Sequence, residues 1–374
     1  ECKEMFHDPK FEEKLNSNTN LLGFENGIYD LETCLFRDGL PEDYITFSTR
    51  KNYYEFEEDD ERLLEVKKFL VEVLPKDNIR EYVMTIFGSF MTGKTYEKFF
   101  IFTGKGGNGK SKLIELLDNS MGEYSCTLPV TLMTQKRARA EAADPAVARI
   151  VGKRFGCMQE PDKDEEIHVG FMKQLTGGDK LLARALHKDP IEFKPQIKIV
   201  MCCNVLPSVS DNDDGTWRRI RVVEFISSFV DEPNPNIKYQ YKIDTTLGDK
   251  IKSEGPWVEP FIYYLLEYYK KYKKNGIKEP AAVKKYTDEY KSESDIFTQF
   301  INEKIVVNEN STPLRLTEIY YCFQEWYRQT KGHATKCPSR TELKNNLNKN
   351  FGDKCDQDNK NIWSGISFKE SELI

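Results

Sequence analysis

The chain of 374 residues is 39% hydrophobic and 31% charged, with a net charge of −6 and a pI of about 5.6; it has room for two or three domains, is too apolar for large-scale disorder, and is too acidic for a generally basic, nucleic-acid-coating surface. Its nine cysteines are odd in number, scattered and without a C-x-x-C pair, which signals neither a disulfide framework nor a zinc knuckle and points to a reducing compartment. No stretch approaches the ~18 apolar residues of a membrane span and no basic-then-apolar leader opens the chain; its first residue, Glu1 rather than Met, reads as the start of a fragment of something larger.

Residues 1–55 read as short strands and turns, with Asn26-Gly27 inside "LLGFENGIYDLETCLFRDG" as a hairpin signal between alternating apolar positions. Two amphipathic helices follow. Residues 59–74 set Leu63, Val66, Phe69, Leu70 and Val73 at helical spacing, and residues 78–90 repeat the pattern with Ile79, Val83, Ile86, Phe87 and Phe90. From about residue 95 the runs "KFFIFTG", "KRFGCMQE", "IKIVMCCN" and "RIRVVEF" alternate with helical segments, the texture of strands buried on both faces of a mostly parallel sheet. A Pro/Asn-rich break, "DEPNPN", begins at Asp231. Residues 256–303 are helical, aromatic and lysine-rich, read as helices packing a tyrosine side on a neighbour rather than as a nucleic-acid surface. Residues 304–374 combine two or three helices with a closing β-ribbon, the pattern of a small winged-helix-like domain. The expected fold is α/β, with a small N-terminal α+β and helical collar module (1–94), a core of mostly parallel sheet between helices (95–231), a helical lid or linker (232–303) and the C-terminal domain (304–374).

The stretch "FTGKGGNGKSKLIELL", residues 102–117, satisfies two patterns at once. Gly104, Gly106 and Gly109 spell G-x-G-x-x-G, while Gly104, Gly109, Lys110 and Ser111 spell G-x-x-x-x-G-K-[ST]. A dinucleotide fingerprint needs an acidic residue at the end of the next strand, ~20 residues on; Glu123, in "NSMGEYS", does not end an apolar run. The phosphate loop needs a strand leading in, Lys and Ser after the last glycine, and a helix starting there, and all three are present. The nucleotide cradle is therefore Gly104, Lys105, Gly106, Gly107, Asn108, Gly109, Lys110, Ser111 and Lys112. Lys110 is expected to reach the β- and γ-phosphates of ATP, and the Ser111 hydroxyl to bind Mg²⁺.

Hydrolysis also needs a carboxylate at the end of a neighbouring strand, as base and aid to the metal, and a polar residue on another strand to orient water. "RFGCMQEPD" offers Glu160 and "IKIVMCCNVLP" offers Asn204, each after an apolar run.

Taken in order, "GKGGNGKS", "AVARIVGKRFGCMQE", "FMKQLTGGDKLLARALHKDPIEFKP", "IKIVMCCNVLP" and "DGTWRRIRVVEF" resemble the motifs of superfamily 3 helicases. The likeness is closest to the C-terminal half of poxvirus-type primase-helicases of nucleocytoplasmic large DNA viruses, and extends to related phage primases. "LLGFENGIYDLET" resembles the module that precedes the helicase core in that family. The resemblance implies an AAA+ P-loop ATPase forming a homo-hexameric ring that moves 3′ to 5′ on single-stranded or forked DNA. It makes Glu160 the Walker B carboxylate and Asn204 the sensor-1 residue. Many relatives carry two acidic residues at the Walker B site where this chain has Gln159 before Glu160, so the metal is expected to lean on Ser111, phosphates and water, with Glu160 contributing indirectly.

The same resemblance makes Arg218 or Arg219 an arginine finger for the adjacent subunit, Arg219 preferred, with the other paired to the acidic cluster Asp211, Asp213 and Asp214. "LLARALHKDPIEFKP" resembles a channel hairpin whose tip, His187 and Lys188, grips the DNA backbone. Arg184 is placed with the DNA contacts or the neighbouring nucleotide, Lys173 on a helix surface, and Arg137 and Arg139 at the ring interface or channel. Further implied partners are a replication polymerase or processivity factor docking on the C-terminal domain; no membrane is involved, and the implied location is the viral replication site in the host cytoplasm, or the nucleus. The competing readings are a nucleotide-controlled DNA ring or polymerase-recruiting module without unwinding, and a packaging ATPase, which leaves "TGGD…AR" and the hairpin unexplained.

Overall fold

A two-residue turn between alternating apolar runs is enough to start a β-meander. In the computed structural model, which describes residues 11–135, 144–161, 165–185, 189–209, 213–332, 337–356 and 358–369, strands β1 (Leu21–Phe24), β2 (Gly27–Asp30) and β3 (Leu35–Arg37) form that meander. Glu25 and Asn26 join β1 to β2 with Phe24 opposite Gly27, the expected hairpin with Gly27 as first residue of the second strand.

Helix α1 (Glu61–Val73) starts where the Asp60 carboxylate accepts from the main-chain N–H groups of Arg62 and Leu63, and buries Leu63, Val66, Phe69, Leu70 and Val73. Helix α2 (Asp77–Ser89) follows after a short turn. The two helices match the periodicities at 59–74 and 78–90.

The central sheet takes the predicted apolar runs. Strand β4 (Phe99–Thr103) leads to helix α3 (Lys110–Met121), then come β5 (Ser125–Thr127) and β6 (Phe155–Gln159). Helix α4 (Val169–Gly177) precedes a hairpin of β7 (Leu181–Ala183) and β8 (Ile191–Phe193), after which β9 (Lys198–Cys202) and β10 (Ile220–Glu224) return to the sheet. The spatial order is β10-β4-β9-β6-β5, with every neighbouring pair parallel. Every residue of β4 and β9 is buried, as a parallel sheet covered on both faces requires. A small parallel pair, β11 (Ser228–Val230) with β12 (Gln240–Lys242), follows β10.

Helix α5 (Val258–Asn275) crosses α2 and buries Phe261, Ile262, Leu265, Leu266, Tyr268 and Tyr269, leaving Lys270, Lys271, Lys273 and Lys274 exposed. Gly88 permits the crossing: a Cβ there would stand 2.7 Å from the Tyr268 carbonyl carbon and the Tyr269 nitrogen. The tyrosines of this lysine-rich helix thus pack inward.

Two cations sit buried at the N-terminal rim of the sheet. Arg154, just before β6, donates to the carbonyl of Leu21 at 2.5 Å and to that of Met91, its guanidinium 4.5 Å from the Tyr124 ring centroid. Lys198, first residue of β9, donates through Nζ to the Thr92 carbonyl. The pair ties the meander and the segment after α2 to the sheet. Burial, with the Arg154 charge beside it, holds the Lys198 amine well below the ordinary lysine range. Between the folded and unfolded pKa values the unfolded chain therefore binds more protons at this group, so its contribution to stability rises with pH. Stability against urea is expected to rise with pH on approach to the ordinary lysine range, and less steeply in Lys198→Met; equal slopes contradict a lowered amine pKa.

The chain divides into two compact units, Glu1–Thr287 and Asp288–Ile374. In the second, α6 (Ile296–Lys304), β13 (Ile305–Val307), β14 (Leu314–Arg315), α7 (Leu316–Lys331), α8 (Arg340–Phe351), β15 (Ile362–Trp363) and β16 (Ile366–Phe368) follow in order. β13 pairs with β16 and β14 with β15, both antiparallel, over a core that includes Phe300, Ile319, Phe323, Leu343 and Trp363. These are the helices and closing ribbon expected of the last residues.

Candidate nucleotide-binding site

In open parallel sheets, ligands bind beyond the carboxyl ends of the strands, and three adjacent strands deliver the predicted residues there. The loop 104–109 and α3 follow β4, Asn204 follows β9, and Glu160 follows β6, with β9 lying between β4 and β6.

The loop needs its glycines for two different reasons. Gly104, Gly107 and Gly109 have φ of +140°, +73° and +81°, backbone that side chains disfavour. Gly104 and Gly109 are also crowded: a Cβ would stand 2.4 Å from the Phe225 carbonyl oxygen at the first, and 2.7 Å from Val73 Cγ2 at the second. Gly106 faces open space within 4 Å. Asn108 is turned inward, its Nδ2 donating to the Phe225 carbonyl at 3.3 Å and its Oδ1 accepting from the Lys110 N–H at 3.2 Å, so its side chain props the loop. Lys105, Ser111 and Lys112 are exposed; Lys112 pairs with Glu115 at 2.9 Å along the helix.

Lys110 is the unusual group. Its side chain is 5% exposed, and Nζ donates to the Cys203 carbonyl at 2.8 Å, to Asn204 Oδ1 at 3.3 Å and to the Gly104 carbonyl at 3.4 Å. Burial pushes its pKa below the ordinary lysine value, against the pull of the Cys202 and Cys203 thiols and of Glu160 nearby. A buried ammonium resting on neutral oxygens lacks the counter-charge that usually accompanies burial. Glu160 continues the ladder with its N–H donating to the Cys202 carbonyl at 2.8 Å, at φ +53°, and its side chain is exposed. Left-handed backbone at a non-glycine residue costs about 1–3 kcal/mol and gathers at functional sites.

A buried cation, glycines in backbone that side chains disfavour, and a helix N-terminus together fit a phosphate chain. A magnesium ion fits only in company with phosphate oxygens: Ser111 and Glu160 lie at the rim, and among the described residues no cluster of three or more His, Cys, Asp or Glu could hold a metal.

The two candidate finger arginines differ sharply. Arg219 is 7% exposed; Nη1 donates to the Gly215 carbonyl at 2.8 Å and Nη2 lies 3.5 Å from Glu97 Oε2. Arg218 is exposed, with Nη2 3.2 Å from the same Glu97 oxygen. Asp213 is paired instead with Lys173, so Lys173 anchors α4 to the turn before the arginines. Asp211 lies outside the described residues.

The predicted hairpin is formed by β7 and β8, with Leu181 opposite Phe193 and Ala183 opposite Ile191, and Lys180 pairs with Glu192 at 2.8 Å. Arg184 leaves it exposed, its carbonyl accepting from the Asp144 N–H at 2.9 Å. His187, Lys188, Arg137 and Arg139 lie outside the described residues. Sequence reasoning missed the Cys203 and Phe225 carbonyls, because a main-chain acceptor has no residue signature.

Residues 102–219 match a family of unknown function (DUF5906), and residues 1–75 match the D5 N terminal like family. A protein named "Putative helicase L207/L206" from Acanthamoeba polyphaga mimivirus is 38% identical over 92% of this chain and 36% of its own length. "Putative helicase 184R" of Invertebrate iridescent virus 6 is 31% identical over 89% of this chain and 37% of its own, and "Putative primase C962R" of African swine fever virus 26% over 86% and 35%. The chain spans about a third of the length of these relatives. A solved structure, the NrS-1 C terminal region, covers 74% of this chain and 58% of its own at 16% identity and a TM-score of 0.46, a likeness too distant to weigh. No described helix is long and apolar enough to cross a membrane. The homologues of this chain are proteins of large DNA viruses named putative helicases and putative primases, and with the D5 N terminal like match they are consistent with a D5-type primase-helicase.

Proposed function

We propose that this chain is the ATP-driven motor part of a D5-type primase-helicase of viral genome replication, an AAA+ ATPase working as a homo-hexameric ring that moves 3′ to 5′ on single-stranded DNA. The observation that carries this reading is the buried Lys110 ammonium, set on neutral oxygens between the phosphate loop and Asn204. The names of the relatives support the same role, and the strand order β10-β4-β9-β6-β5 supports an AAA+ core.

The main-chain N–H groups of the loop and of the first turn of α3 wrap the phosphates. Lys110 exchanges its carbonyl contacts for β- and γ-phosphate oxygens, which offer the missing counter-charge. Asn204, released by that exchange, orients a water. Glu160 takes a proton from this water as its oxygen bonds to the γ-phosphorus and the bond to the β–γ bridging oxygen breaks, leaving ADP and phosphate. The Ser111 hydroxyl would hold Mg²⁺, with Glu160 contributing through water, and the ion would neutralise phosphate charge.

Charge developing on the transferred group is met by an arginine from the next subunit. Arg218 suits this better than Arg219, the residue preferred on sequence, because a finger must leave its own subunit and Arg219 is packed against Glu97 and Gly215. His187 and Lys188, in the segment that joins β7 to β8, would grip the DNA backbone, with Arg184 directly after β7; six copies of one small basic segment would give an acidic protein a local polynucleotide site. The second unit is the docking arm for a polymerase or processivity factor, at the replication site in the host cytoplasm.

Single-stranded DNA is expected to stimulate hydrolysis, and the chain to displace an annealed strand; hydrolysis without displacement favours a nucleotide-controlled assembly module instead. Mixing Lys110→Ala with Arg218→Ala subunits should restore part of the turnover that each lacks alone, since some interfaces then join two intact halves. No recovery at any ratio contradicts a finger supplied between subunits.

A further inference from the structure

A strap of chain beside the phosphate loop carries an aromatic pair. In the β11–β12 pairing Phe229 lies opposite Tyr241, their ring centroids 5.6 Å apart and their planes 35° from parallel. The strap is fastened to the loop at two points. The Phe229 N–H donates to the Gly107 carbonyl at 2.8 Å, and the Phe229 ring stands 3.0 Å from where a Cβ would sit on Gly109. Its base is pinned as well: Ser227 Oγ donates to the Glu72 carbonyl at 2.6 Å, the Ser228 N–H to the Tyr239 carbonyl at 3.0 Å, and the Ile243 N–H to the Val230 carbonyl at 3.0 Å. Between the two strands, residues 231–238 loop out exposed, while both rings stay half-buried.

A phosphate cradle alone does not distinguish a nucleotide from inorganic polyphosphate, so the nucleoside needs a surface within reach of the loop. Half-open aromatic rings supply one, because any base presents a π face and stacking needs no particular hydrogen-bonding edge. The rigid fastening to Gly107 and Gly109 sets the rings at a fixed distance from the phosphates, which is what positioning a base requires. We infer that the Phe229–Tyr241 strap is the nucleobase platform of this site: the base of a nucleoside triphosphate stacks on the aromatic pair while its phosphates lie in the 104–111 loop. This rests on the phosphate-loop reading proposed above.

The test compares binding of Mg²⁺-ATP with binding of Mg²⁺-tripolyphosphate by titration calorimetry on the whole chain. Phe229→Leu keeps an apolar side chain against Gly109 but removes the ring, and Tyr241→Ala removes the outer ring. Each should weaken ATP about 5- to 50-fold, the scale of one lost base stack, while tripolyphosphate stays within about twofold. Tyr241→Phe should keep the wild-type affinity for both. Equal weakening of the two ligands makes the strap a mere prop for the loop and overturns the platform; so does unchanged ATP affinity in both variants. Lys110→Ala, run alongside, should weaken both ligands; if it binds both as tightly as the wild type, the cradle itself is wrong and the platform falls with it.

Discussion

Lys110→Ala is expected to cut nucleotide hydrolysis by at least about 10²–10³-fold, the scale of losing one preorganised electrostatic contact, while leaving the fold intact. The two halves of that expectation come from the same geometry. Nζ touches only neutral oxygens, the carbonyls of Gly104 and Cys203 and the Asn204 amide oxygen, so the ammonium has no ion-pair partner there whose loss would destabilise the chain. Removing it relieves a desolvated charge and leaves the Cys203 carbonyl without a donor, two opposing effects of similar size. Urea unfolding should therefore stay close to wild type. Lys110→Arg should not rescue turnover, because a planar guanidinium does not fit a 5% exposed slot shaped for a single point donor. Full turnover in folded Lys110→Ala contradicts the cradle.

Glu160→Gln is expected to keep nucleotide affinity and lose about 10²–10⁴ in turnover, the range of a positioned general base. Here the backbone adds an independent check. Glu160 holds φ +53° directly after β6, with its N–H bonded to the Cys202 carbonyl. Glycine adopts that conformation freely, so Glu160→Gly should be inactive yet more stable than wild type, by about 1 kcal/mol. A Glu160→Gly chain that unfolds more easily than wild type removes the argument that the strained turn is kept for the carboxylate. Measuring the unfolding midpoint and turnover on the same preparations separates the two effects.

Much of the local architecture was legible because each element writes its own period. The hairpin signalled by Asn26-Gly27, whose turn falls one residue earlier at Glu25-Asn26, the helical spacing at 59–74 and 78–90, and the apolar runs that become β4, β6, β9 and β10 are all visible without a structure. The order of those strands is not. Which parallel strands become neighbours is decided by crossovers and packing, and nothing in "IKIVMCCN" says that it lies between β4 and β6. That placement is what brings Asn204 within 3.3 Å of Lys110. For the same reason the arginine pair could not be resolved from its sequence. The short helix Asp214–Trp217 turns Arg219 inward and Arg218 outward, toward opposite environments one residue apart. Asp213, expected to meet an arginine, is paired with Lys173, 40 positions earlier. The aromatic strap was equally hidden, since Phe229 meets the loop through a main-chain bond to Gly107.

Everything proposed for this site requires that phosphates be wrapped by the chain between Gly104 and Ser111. A crystal structure of the chain with Mg²⁺ and a non-hydrolysable ATP analogue tests it most directly. The β- and γ-phosphates are expected inside that loop, with Lys110 Nζ moved off the Cys203 carbonyl onto a phosphate oxygen. An analogue bound elsewhere, with the loop vacant and Lys110 still on Cys203, would contradict it.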